Sequence, residues 1–80
     1  MIYIATFFSH YGAMRFKNLC DEAGLFSRMM PVPRQLSSSC GTCVRVEAES
    51  ADAFPRTKEM EQVALEQESG YPILWKAENL

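Results

Sequence analysis

No apolar run in this sequence approaches the roughly 20 residues that a membrane-spanning helix needs. Met1 to Phe8 is apolar but lacks the basic leader and small-residue cleavage site of a signal peptide, so it reads as a first strand. No Gly-rich phosphate loop, Ser-His-Asp order or carboxylate pair rises above background, and there is no internal repeat. Positive charge is also scarce, with eight cations against ten acids and a net charge of −2. Up to Val46 the cations are Arg15, Lys17, Arg28, Arg34 and Arg45, scattered and without interleaved exposed aromatics. That is a poor nucleic-acid footprint. The expectation is a cytoplasmic protein that engages neither membrane nor nucleic acid. Its 80 residues predict one domain, 1–80, which buries only about 60% of the surface its unfolded chain exposes.

Cysteine is the residue that remains to be explained. Three are present, Cys20, Cys40 and Cys43, an odd number that cannot fully pair within one chain. In a reducing compartment they read as free thiols, metal ligands or catalytic groups rather than structural disulfides. Two of them close a long polar stretch, Pro33-Arg34-Gln35-Leu36-Ser37-Ser38-Ser39-Cys40-Gly41-Thr42-Cys43. Strand connections usually take two to five residues and this one takes nine, 33–41. Long ordered loops in small domains carry function.

The surrounding pattern predicts how that loop is presented. Ile2 to Phe8 is apolar on both faces and reads as a central strand. Ser9 is the expected N-cap of a helix reaching about Ala23, with Gly24 as its stop. Ala13, Phe16, Leu19, Cys20 and Ala23 form its apolar stripe, so Cys20 reads as a core hydrophobe. Phe26 to Val32 is expected as an edge strand because of Pro31, with Pro33 directly after it. Thr42 to Glu47 alternates, with Thr42, Val44 and Val46 on the face towards the helices. Cys43 and Arg45 then fall on the opposite, open face. A second helix is expected from about Asp52 to Ser69, with Met60, Val63, Ala64 and Gln67 as its stripe. Pro72 to Lys76 reads as a last strand and Ala77 to Leu80 as a frayed tail.

The resulting order, βαββαβ, predicts an α+β fold of the ferredoxin-like split βαβ type. It would have a four-stranded antiparallel sheet in the order 4-1-3-2 and both helices on one face. That topology would gather Ser9, His10, Arg34, Cys40, Gly70 and Tyr71 at one end.

Ser-Ser-Ser-Cys-Gly favours turns in which backbone N–H groups converge. Converging amides, a helix N-terminus and Arg34 would each favour a thiolate at Cys40. Thioredoxin-like exchange fits less well, because the Cys-x-x-Cys pair runs into strand-like residues instead of opening a helix. A zinc site wants four ligands, which a symmetric homodimer could supply by giving Cys40 and Cys43 twice. His10 reads either as an exposed first-turn residue or as a base beside Cys40.

Across nearly the whole chain the sequence resembles the selenium/sulfur carrier-like family of small proteins. The residues that carry the likeness are Ile4-Ala5-Thr6-Phe7 with Ser9, Ala13-Met14, Glu22-Ala23-Gly24, Pro31-Val32-Pro33-Arg34, and Ser37 to Gly41 with Arg45. The resemblance implies that Cys40 is the loop cysteine and that Pro33-Arg34 leads up to it. A carrier would hold a persulfide or perselenide on Cys40 between a donor enzyme and an acceptor protein, rather than act as a stand-alone enzyme. Cys43 would resolve or relay, Arg34 with the loop amides would stabilise the anion, His10 is a candidate site residue if it lies near Cys40, and no cofactor is expected. The alternative is a ferredoxin-like interaction module, as a homodimer sharing a Cys-x-x-Cys zinc site.

Overall fold

The computed structural model describes residues 1–78. Its order is β1 (Ile2–Phe7), α1 (His10–Glu22), β2 (Ser27–Pro31), β3 (Thr42–Glu47), β4 (Met60–Leu65) and β5 (Ile73–Lys76), with one 3-10 turn at Ala51–Ala53. All strand pairings are antiparallel, in the spatial order β2-β3-β1-β4-β5. Among the described residues the fold is therefore α+β, with one helix and five strands where two helices and four strands were expected. β1 is central, as a strand apolar on both faces requires. The proline-bearing β2 lies at one edge. Among the described residues no helix is long and apolar enough to cross a membrane.

The helix expected over 52–69 does not form. Pro55 blocks continuation from the 3-10 turn, and Met60 to Leu65 pairs with the free edge of β1. The misleading signal has a physical origin in a β-bulge. Thr6 faces Gln62 while the next residue, Phe7, faces Met60, so Glu61 is the extra residue on β4. The bulge puts Met60 and Val63, three apart, on one face, which imitates helical spacing. Residues 60–65 thus take the place beside β1 that was expected for Pro72 to Lys76. The latter segment becomes β5, one position further out. Gln67, expected on a core stripe, is exposed. Ala77, expected in a frayed tail, donates its N–H to the Glu61 carbonyl at 2.9 Å. The rest of that tail, residues 79–80, lies outside the described residues.

α1 begins as the sequence implies. The Ser9 hydroxyl accepts the Gly12 N–H at 3.1 Å, and Gly24 takes φ of +76° just past the helix end. Ala13, Phe16 and Cys20 are buried, Leu19 is half-buried, and Ala23 is exposed. Their buried face meets Tyr3, Ala5 and Phe7 of β1, Val44 and Val46 of β3, and Met60 and Val63 of β4. Phe54 fills part of the place of the missing helix, with its ring edge-on to Tyr3 at 5.5 Å and to Phe16 at 5.6 Å. Gly12 permits a close approach here: a Cβ on it would lie 2.3 Å from the Glu59 Cβ.

The antiparallel register fixes what lies at each end of the sheet. Phe7 pairs with Met60, and Thr6 pairs with Cys43, so the start of α1, the β2–β3 loop and the start of β4 share one end. The β4–β5 turn, with Gly70 and Tyr71, is at the other end, where the Glu66 N–H reaches the Ile2 carbonyl at 2.8 Å. Gly70 and Tyr71 are therefore not neighbours of Cys40. The cause is again that residues 60–65 form a strand, which returns the chain to the far end before the turn.

Candidate functional site

The β2–β3 loop is closed at its base by the Val32 N–H on the Gly41 carbonyl at 3.2 Å. It opens with a turn in which the Leu36 N–H reaches the Pro33 carbonyl at 3.0 Å. Gly41 adopts φ of +76°, a left-handed conformation that lets the chain enter β3 directly after Cys40.

The serines are held from β4. Glu61 accepts from the Ser39 N–H at 3.2 Å and the Ser39 hydroxyl at 2.6 Å. The same carboxylate accepts from the Thr6 hydroxyl at 3.0 Å, which ties the loop to β1 as well. Gln62 Nε2 donates to the Ser37 carbonyl at 2.6 Å. The loop thus reaches from the β2 edge to β4. Beneath it lie Thr6, Cys43 and Gln62, all buried although α1 packs on the other face of the sheet. The Ser39 amide serves Glu61 and so does not belong to an anion-binding cluster around Cys40. The β-bulge is what makes this clamp, since it turns both Glu61 and Gln62 towards the loop.

The three thiols have distinct surroundings. Cys20 is buried under α1, and burial with the adjacent Asp21 carboxylate pushes it up to about 11. Cys43 is 0% exposed, and its sulfur approaches the Pro31 carbonyl at 3.7 Å. Burial, with the neighbouring Cys40 thiol adding to it, pushes Cys43 up to about 11. At pH 7 roughly one Cys43 in ten thousand would be a thiolate. The face assignment for Cys43 agrees with the alternation of β3, but the face is not open, because the loop covers it. Cys40 is half-buried at the end of the loop, against the rim of the core. Its sulfur faces the Thr42 carbonyl at 3.4 Å.

His10 is exposed at the start of α1, with Nδ1 3.4 Å from the Thr42 hydroxyl, one residue removed from Cys40. Arg34 is exposed in the loop's first turn, with no hydrogen-bond or ion-pair partner among the described residues. Arg45 is committed elsewhere, donating to both Glu66 oxygens at 3.0 and 2.9 Å. Those bonds hold the Glu66 carboxyl below the usual carboxylate range. Ser9 bonds to the Glu59 carboxylate, so the N-cap is joined to the approach of β4.

Thr6, Glu61 and Gln62 are the site residues that the sequence reading missed. Their only signal was a polar Glu-Gln pair opening an otherwise apolar stretch, which read as a helix exterior. Among the described residues no three His, Cys, Asp or Glu side chains gather as metal ligands.

No curated protein and no solved structure gives a match to this chain. A family model does, described as "Putative Se/S carrier protein-like", and it spans residues 2–69, which takes in β1 to β4 and the whole clamped loop. The chain belongs to that Se/S carrier protein-like family.

Proposed function

We propose that the protein carries sulfur or selenium on Cys40 as a persulfide or perselenide. The observation that supports this reading most is the contrast among the thiols. Cys20 and Cys43 are enclosed and held protonated, while Cys40 reaches the surface at the end of an ordered loop. The family description names the same cargo.

Loading needs no external oxidant or reductant. The Cys40 thiolate attacks the terminal sulfur of a donor enzyme's cysteine persulfide. A Cys40–sulfur bond forms as the donor's S–S bond breaks, and the donor cysteine leaves as a thiolate that takes up a proton. Delivery repeats the step with an acceptor thiolate attacking the terminal sulfur of the Cys40 persulfide, which restores the Cys40 thiol. A perselenide follows the same balance. Exposed Arg34 places positive charge on one flank of the loop and the His10 imidazole stands on the other, where the anion and the partner proteins would meet them.

Cys43 gives a second, slower exit. Its thiolate can attack the Cys40 sulfur, forming a Cys40–Cys43 disulfide and expelling hydrosulfide. A thiol reductant must then supply two electrons to restore the pair. The clamped loop and the raised Cys43 value keep this route closed while the loop is seated. The same enclosure weighs against a homodimer sharing zinc, since Cys43 would have to leave its buried position to become a ligand. A zinc-sharing dimer would hold about half a zinc per chain and lose stability to a chelator.

The test is release of sulfur from protein preloaded by a cysteine desulfurase and free cysteine. With an acceptor thiol, Cys43→Ser should deliver sulfur as wild type does, and without one it should lose hydrosulfide more slowly. Equal hydrosulfide loss from both proteins would remove Cys43 from the mechanism.

A further inference from the structure

Beside α1 lies a cleft of about 470 Å³, lined by Gly12, Arg15, Arg56, Thr57, Lys58 and Glu59. In a chain with net charge −2, three of the eight cations converge on it. Neither Arg15 nor Lys58 has an ion-pair partner among the described residues. The one carboxylate in the lining, Glu59, is turned to the Ser9 hydroxyl.

Arg56 is held in place rather than free in solvent. Its Nη1 donates to the Ala51 carbonyl at 3.0 Å and the Phe54 carbonyl at 3.4 Å. Its guanidinium lies 5.4 Å from the Phe54 ring centroid and 5.5 Å from that of Trp75. These contacts fix the fork while its other N–H donors have no partner among the described residues.

We infer that this cleft binds the phosphoryl group of a small phosphate monoester. A planar guanidinium and two further cations match the several acceptor oxygens and the charge of a phosphoryl group. The volume exceeds what a bare anion fills and leaves room for the organic part. Gly12 lines the cleft where α1 comes closest to Glu59, so a side chain there would strike Glu59. The site is independent of the thiol reading and shares no residue with it.

The test is a backbone-amide NMR titration of the full chain with glycerol 3-phosphate, inorganic phosphate, chloride and hexaglutamate. Glycerol 3-phosphate should give saturable shifts centred on Gly12, Thr57 and Lys58, and should bind more tightly than inorganic phosphate. The double charge reversal Arg15→Glu with Lys58→Glu should weaken it at least tenfold, with the remaining spectrum unchanged. Cys40→Ser should bind as wild type does. Equal binding of inorganic phosphate would overturn the monoester assignment. Preference for hexaglutamate, or shifts that chloride reproduces, would overturn the phosphoryl site altogether.

Discussion

Removing the Glu61 carboxylate should release the Cys40 loop and expose Cys43. In Glu61→Ala three hydrogen bonds disappear: two from Ser39 and one from the Thr6 hydroxyl. Water replaces the carboxylate for exposed Ser39, so those two bonds count for little more than neutral ones. Thr6 is buried, and its hydroxyl is left without a partner at a cost of about 1–3 kcal/mol. A net loss of about 2 kcal/mol follows, which raises the open-loop population by roughly 30-fold. The assay is site-resolved alkylation of Cys43 under low concentrations of urea, with Cys20 as the internal reference. Loop opening exposes little surface, so Cys43 reactivity should hardly change with urea, while Cys20 should rise steeply because only global unfolding frees it. Glu61→Ala should raise the Cys43 rate by that factor and keep it insensitive to urea. If Cys43 shows the same urea slope as Cys20 in both proteins, the loop is not a separate cover and the reasoning fails.

Three other outcomes follow from the geometry. Gly12→Ala should lower Tm although alanine favours a helix by about 1 kcal/mol, because the clash with Glu59 costs about 1–3 kcal/mol; a rise in Tm would contradict the close approach. Glu66 is held below its ordinary value, so its contribution is present above about pH 4.3 and is lost as pH falls through the folded value. Urea titrations between about pH 5 and 3 should therefore show a shallower acid loss in Glu66→Gln, by about 0.5–1 kcal/mol for a pair this close to the surface. Limiting iodoacetamide at neutral pH should modify Cys40 before Cys43 or Cys20, since burial holds the latter two protonated; peptide mapping with Cys43 ahead would reverse the assignment.

What the sequence made legible was what short-range rules govern. The Ser9 cap, the Ala13-Phe16-Cys20 stripe, the proline-marked edge of β2 and the alternation of β3 all follow from local periodicity and turn chemistry. From them came the placement of Ser9, His10 and Cys40 at one end, because α1 must start where β1 ends and β3 must start where the loop ends. The segment after Ser50 was misread because a bulge at Glu61 gives a strand the spacing of a helix. That one error displaced Gly70 and Tyr71 to the wrong end. It also hid the Glu61 and Gln62 clamp, whose partners lie more than 20 residues away in sequence. Burial of Cys43 was illegible for the same reason, since only a loop fastened to β4 can cover it.

The central claim, that Cys40 takes up the cargo, is tested most directly by locating the added atom. The protein would be incubated with a cysteine desulfurase and free cysteine, digested without reduction, and mapped by mass spectrometry. One extra sulfur on Cys40, lost on treatment with a thiol reductant and missing from Cys40→Ser, is the predicted result. Sulfur on Cys43 or Cys20 instead, or an unchanged mass gain in Cys40→Ser, would contradict the account.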